Sequence, residues 1–459
     1  MNKLVNSLEA KDLQNHFHPY TNPKVLMENG PHVISKGEGI YVYDNSGKKF
    51  IEGMSGLWCA SLGFSEKQLA DAALKQMNTL PFYHSFAGKV PDVSAELSEK
   101  LVSISPKNLE KVFFCNSGSE ANDTAIKIVW YYHHAIGCPE KKKIISRKRG
   151  YHGVTMAAGS LTGLPYASDG FGLPLDFVRH TSAPHYFTEK KTGESEELFV
   201  NRMISDLEEL ILEEGPETIG AFIAEPVMGA GGVIIPLSGY FEKVQKILKK
   251  YEILFIADEV ICGFGRTGSM WGSETFNLQP DILTCAKALS AAYAPISAVL
   301  LSKPIIANIE KQADELGIFG HGFTYSAHPV TAAVALKTLQ IYEEREIIAH
   351  VNEVANTFVE RIKEMGKFDF VGDTRAIGLI GAIEFVSKAN TNEKPDPKLK
   401  IAAKIQQRIQ EAGVILRFLP GDSLAFCPPL IIESNQINEM FDKVESVFHE
   451  MDLIAEEID

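Results

Sequence analysis

Nothing in the 459-residue sequence approaches the roughly 20 uncharged apolar residues needed to cross a bilayer, so no membrane span is expected. The opening stretch, MNKLVNSLEAKDLQNHF, has neither a continuous apolar core nor a cleavage-site pattern, so no signal peptide is read there. Positive charge is in deficit: 45 Lys and Arg face 59 Asp and Glu, a net charge of −14. That balance argues against nucleic acid or an anionic membrane as partner. Six cysteines (Cys59, Cys115, Cys138, Cys262, Cys285, Cys427) include no C-x-x-C pair, and free thiols in a reducing cytoplasm are expected. No metal is expected either. His16-Phe17-His18 and His133-His134 lack H-E-x-x-H or Cys/His spacing, and read as a loop and a helix face. Internal repeats and low-complexity tracts are absent.

What is present is an ordinary globular composition, 45% hydrophobic and 23% charged. Short apolar strands at Val112–Cys115, Lys143–Ser146, Ile219–Ala224 and Leu254–Ala257 alternate with helices, one from about Ser119 to His134 and one from Tyr240 to Tyr251. Strands separated by helices predict βαβ units, an α/β fold and a mostly parallel sheet. Farther on, the pattern predicts a long helix over Pro329–Arg345, continuing after a break to Met365. Strands at Ile377–Ile383 and Leu424–Phe426, helices at Leu399–Ala412 and Asn435–Met451, and a surface loop at Asn390–Pro397 complete it. Three parts are expected: an N-terminal segment over 1–60 packing with the small domain, a large domain over 61–325, and a smaller α+β domain over 326–459.

The segment IADEVICGFGRTG (256–268) contains G-x-G-x-x-G, the dinucleotide fingerprint. That fingerprint needs a helix after the glycines, with its N-terminus on the pyrophosphate. The following SMWGSETFNLQP has an internal glycine, a closing proline and no clean apolar face, so the glycines are read as a tight turn. Asp258, ahead of them, is more telling. It ends a buried strand, where ligands of such sheets bind. Such a carboxylate is either a structural anion or the partner of a cationic ligand. Lys287 follows another apolar strand, ILTCA. A lysine there is either a solvated surface residue or, in a pocket, a nucleophilic amine.

The segment from Phe255 to Ser290, with FFCNSGSEANDTAIK (113–127), RGYHG (149–153), FIAEPVMGAGG (222–232) and HGFTYSAHP (321–329), resembles the class III (subgroup II) pyridoxal-phosphate-dependent aminotransferases. The motifs keep their order over essentially the whole chain. The resemblance implies fold type I, with a seven-stranded-type sheet plus a smaller domain, and pyridoxal 5'-phosphate as cofactor. It also implies a homodimer with shared active sites, with a tetramer left open. Lys287 matches the lysine that forms the aldimine with the cofactor and then moves a proton. Asp258 matches the acid facing the pyridine nitrogen. Ser117, Gly118 and Ser119 match the phosphate-binding turn, where a helix N-terminus suits an anion; without the family, Ser119 reads as an N-cap. Thr324 matches the threonine that reaches the phosphate from the neighbouring subunit. Tyr151 matches the aromatic stacked on the ring, and Val260 the residue on its other face. His152 is a pocket residue. Glu225 is an acid near the cofactor, structural or catalytic.

Glutamate-dependent members of the family carry an arginine where this chain has Ala425, in LAFCPPL (424–430). Alanine cannot form a two-pronged pair with a carboxylate. Gly413–Arg417 resembles the ω-amino acid:pyruvate branch, whose arginine swings in to hold a carboxylate and out to admit an amine; on its own, Arg417 reads as a surface residue. Trp58, Phe86 and Tyr20 match or join that branch's substrate pocket, or are core aromatics. SAAYAPISA (290–298) places Ala292 and Ser297 where relatives have glycine. The expected activity is ping-pong transfer from a primary amine or ω-amino acid to pyruvate. The alternatives are transfer to 2-oxoglutarate and a catalytically silent cofactor-binding protein.

Overall fold

The computed structural model describes residues 6–389, 391–399 and 401–456. A seven-stranded sheet organises the molecule. Its strands are β1 (Leu109–Cys115), β2 (Lys143–Arg147), β3 (Val178–Thr181), β4 (Ile219–Ala224), β5 (Leu254–Asp258), β6 (Ile282–Cys285) and β7 (Ser297–Ser302), in the spatial order β1-β7-β6-β5-β4-β2-β3. Neighbours from β6 to β3 are parallel, and β7 runs antiparallel to both β6 and β1. The carboxyl ends of six strands and the start of β7 therefore share one edge.

Both faces of this sheet are covered, which is why β4, IGAFIA, is apolar without alternation. Ala221 and Ile223 pack on one side with Ala121, Ala125 and Val129 of helix Gly118–Ala135. Phe222 and Ala224 pack on the other with helices Glu196–Glu214 and Tyr240–Lys250. The latter turns Tyr240, Phe241, Val244 and Leu248 inward at helical spacing and ends on Lys249 and Lys250, which suit its negative pole.

Two smaller sheets flank this core. Strands Ile34–Glu38, Tyr41–Asp44 and Lys49–Glu52 form an antiparallel meander, extended by Val414–Ile415 in parallel with Lys49–Glu52. The third sheet is ordered Val371–Ile377, Ile380–Phe385, Ser423–Phe426, Arg417–Leu419, all antiparallel.

The strand expected over Ile377–Ile383 is instead a hairpin corner. Gly378 has φ +54°, and a Cβ there would lie 2.4 Å from the Arg266 carbonyl, so the chain turns at the one residue that fits. The long C-terminal helix breaks at Glu346 (φ 48°) into Pro329–Glu344 and Ile347–Glu364. Of the expected loop at 390–397, Asn390 lies outside the described residues, and Pro397–Leu399 forms a 3₁₀ turn. After GFGRTG comes a helix of only four residues, Gly272–Thr275, in keeping with a turn rather than a pyrophosphate cradle. No helix among the described residues is long and apolar enough to cross a membrane.

Candidate active site

A cavity of about 170 Å³ opens at the shared strand edge. Tyr20, Trp58, Gly118, Ser119, Tyr151, His152, Glu225, Asp258, Val260, Lys287 and Arg417 all line it, and so do Asn122 and Tyr166, which the sequence did not flag. Several of them sit at or just beyond the end of a strand of the large sheet. Gly118 and Ser119 follow β1, Tyr151 and His152 follow β2, Glu225 follows β4, and Asp258 ends β5. Lys287 lies two residues beyond β6 with φ 48°, a strained backbone for a lysine.

Asp258 is buried, and its carboxylate is held on both oxygens. His152 Nδ1 and Asn122 Nδ2 each donate to Oδ2 at 2.8 Å, and Val260 N donates to Oδ1 at 3.1 Å. A carboxylate can only accept, so His152 carries its proton on Nδ1. Asn122 is itself fixed: Thr284 Oγ1 donates to its Oδ1 at 2.8 Å, and its Nδ2 also reaches the His152 carbonyl at 2.6 Å. The hydroxyl thus sets which way the amide faces and keeps a donor on Asp258. Thr284→Val leaves the buried Asn122 oxygen without a donor, a cost of about 1–3 kcal/mol. Weaker cofactor retention and a lower melting temperature are expected, with Thr284→Ser close to wild type in both, as read by cofactor titration into apoprotein and by thermal unfolding.

Glu225 is fully enclosed. Tyr151 N and Gly229 N donate to its two oxygens at 3.0 and 2.9 Å, and burial pushes its carboxyl above the usual range. The first of these bonds holds the Tyr151 backbone, the second that of Gly229. Burial likewise raises the Tyr151 hydroxyl, and Tyr20 lies 3.5 Å from it, oxygen to oxygen.

The N-cap of helix Gly118–Ala135 is Ser117, not Ser119: Ser117 Oγ accepts from Glu120 N at 3.2 Å. Ser119 sits inside the first turn, and its Oγ accepts from Val154 N at 3.0 Å. The first-turn N–H groups of Gly118 and Ser119 have no intrahelical acceptor and form a ready anion seat. Gly118 packs closely on the wall, since a Cβ there would lie 3.2 Å from both Val260 methyls. An anion seat, a buried carboxylate and a lysine on one cavity, with a tyrosine and a valine beside them, fit the phosphorylated, cationic ring with an aldehyde that the resemblance implies.

Arg417 is half-buried on the cavity wall, and among the described residues no carboxylate lies within ion-pair distance of it. Trp58 serves as both wall and core: it is 3% exposed and packs with Met54, Ile261 and Leu419. Phe86 and Thr324 are not part of this cavity. Both are exposed, and Phe86 shares a second hollow with His321, Gly322 and Ser326. Phe82, Tyr83 and Tyr325 are exposed on the same part of the chain.

The sequence matches the family model described as aminotransferase class-III over residues 25–448. It is 47% identical over 441 residues to gamma aminobutyrate transaminase 1, mitochondrial, of Solanum lycopersicum, covering 96% of this chain and 85% of that protein. It is 48% identical over 411 residues to vanillin aminotransferase of Capsicum chinense, covering 89% of each. Among solved structures it is similar to the ω-transaminase from Pseudomonas jessenii in complex with PMP. There the TM-score is 0.95 and the identity 49%, over 97% of this chain and 98% of that one. A variant, thermostable ω-transaminase PjTA-R6 W58M/F86L/R417L, engineered for asymmetric synthesis of enantiopure bulky amines, gives TM-score 0.95 and 48% identity over 97% and 99%. With the seven-stranded sheet and the site at its carboxyl edge, these matches establish that the chain belongs to the class-III aminotransferases, pyridoxal-phosphate-dependent enzymes of fold type I.

Proposed function

We propose that this aminotransferase moves the amino group of a primary amine or ω-amino acid to pyruvate, in two half-reactions at one site. The observation that carries the reading is Arg417: a guanidinium on the cavity wall without a carboxylate partner among the described residues. It suits the single carboxylate of a small 2-oxo acid. Ala425, buried in its sheet, offers no second cation at the place where glutamate-using relatives have one. The chain also carries Trp58, Phe86 and Arg417, the residue types and numbers replaced in the bulky-amine variant.

Bound pyridoxal phosphate supplies an electrophilic aldehyde and a ring that withdraws electrons. The chain's residues do the rest. Gly118 and Ser119 hold the phosphate by backbone N–H, with Ser117 capping the turn. Asp258, fixed by His152 and Asn122, keeps the ring nitrogen protonated. Tyr151 and Val260 would line the ring's space, and Glu225 holds the Tyr151 backbone by its N–H. Lys287 would anchor the aldehyde, and its Nζ would take a proton from the substrate carbon beside the amine nitrogen and later return it. Trp58 and Tyr20 shape the amine's space, and Arg417 orients the carboxylate of the acceptor.

Exposure of Phe86 and Thr324 beside Phe82, Tyr83 and Tyr325 supports a homodimer in which each chain lends these residues to the other's site. Six unpaired cysteines support a reducing compartment, and the cytoplasm stays our proposal. The relatives named as gamma aminobutyrate transaminases favour an ω-amino acid donor. Acceptor competition tests the reading. With pyruvate and 2-oxoglutarate at equal concentration and amine in excess, alanine is expected to form at least about tenfold faster than glutamate. Glutamate in equal or greater amount overturns pyruvate as the acceptor.

A further inference from the structure

Glu52 ends the strand Lys49–Glu52 and is 4% exposed. Its Oε2 accepts a hydrogen bond from Gly56 N. The backbone it meets is unusual. Ser55, Gly56 and Trp58 all have positive φ (50°, 68° and 65°), which the surroundings must offset. From the other side, Ser55 Oγ donates to the Cys427 carbonyl at 2.7 Å and accepts from Arg266 Nη2 at 3.4 Å. The strained turn is thus held at both ends, and it carries Leu57 and Trp58 into the cavity.

The same strand end holds the second wall. Glu52 is the register partner of Ile415, and Gly53 N donates to the Ile415 carbonyl at 3.0 Å. Arg417 follows two residues later on the same chain segment. The two segments approach closely here: a Cβ at Gly53 would lie 2.6 Å from Leu416 Cδ2 and 3.2 Å from the Ile415 carbonyl. Trp58 and Arg417 therefore spring from one paired point in the small sheet, and Glu52 is the side chain that ties the Trp58 turn to it.

We propose that Glu52 is a positioning residue for substrate selection: its carboxyl holds the Ser55–Trp58 turn against the strand leading to Arg417, and so fixes how large an amine the cavity accepts. The proposal rests on the reading that this cavity takes the amine. Burial pushes the Glu52 carboxyl up to about 7, so an amide oxygen is a fair substitute acceptor.

The test compares Glu52→Leu, Glu52→Gln and Ser55→Ala with the wild-type holoenzyme. For each, kcat/KM is measured with pyruvate for a linear primary amine and for a bulky aryl-alkyl amine. Glu52→Leu is expected to raise the bulky-to-linear ratio about tenfold, mainly through KM. Glu52→Gln stays near wild type, and Ser55→Ala shifts the ratio in the same direction as Glu52→Leu. Amide exchange supplies a readout independent of turnover: the Gly56 N–H exchanges faster in Glu52→Leu and not in Glu52→Gln. Should Glu52→Leu not fold, Glu52→Ala takes its place, with the same rise in the ratio and the same faster Gly56 exchange expected. An unchanged ratio with unchanged Gly56 exchange overturns the role of Glu52. A wild-type enzyme that uses neither amine overturns the reading of the cavity instead.

Discussion

Lys287→Ala is expected to lower turnover by at least about 10⁴-fold, with the protein folded and the cofactor still bound, though less tightly. The size follows from two losses at one atom. On the proposed reading, Nζ anchors the aldehyde and is also the base that moves the proton on the substrate carbon. The two carboxylates on that cavity are committed elsewhere: Asp258 to His152, Asn122 and Val260, and Glu225 to two backbone N–H groups. Neither is free to substitute as the base. Steady-state kinetics and the visible spectrum of the purified variant check this together. The lysine-linked band disappears while the phosphate seat still retains cofactor. Near-normal turnover would mean that another group does the proton work.

The second large effect belongs to Arg417. Arg417→Ala removes the charged donor proposed to hold the acceptor's carboxylate, and such bonds contribute about 1.5–3 kcal/mol. The half-reaction with pyruvate is expected to slow roughly 10- to 100-fold in kcat/KM. The half-reaction with an amine that has no carboxylate should hold steady or improve, because a bulky cation has left its path. Stopped-flow measurement of each half-reaction separates the two. Equal losses in both would make Arg417 a structural residue.

Much of the site could be read in the sequence because its chemistry lies in short contiguous motifs. Lys287 and Asp258 each close an apolar strand, and the strand edge brings them to one cavity. Periodicity found β4 and the helix at Tyr240 because burial on defined faces leaves a pattern. Other elements left none. The meander Ile34–Glu52 is half exposed and broken by turns, and β3, VRHT, has too few apolar residues to stand out. Asn122 and Thr284 could not be paired from sequence, since 162 positions separate two residues joined by one hydrogen bond. Glu52 gave no signal because its role depends on a turn whose conformation is set by tertiary contacts. The two departures at Ala292 and Ser297 are resolved differently. Ala292 does adopt a left-handed backbone, φ 69°, and bears the strain. Ser297 opens β7 in extended form, and its hydroxyl donates to the Ser117 carbonyl at 2.7 Å, tying the lysine's turn to the phosphate seat.

The account stands on the attachment of the cofactor to one side chain. Holoenzyme reduced with borohydride, digested and mapped by mass spectrometry reads that attachment directly. The cofactor's mass is expected on the peptide containing Lys287; finding it on a different lysine, or retained on none, would contradict the account.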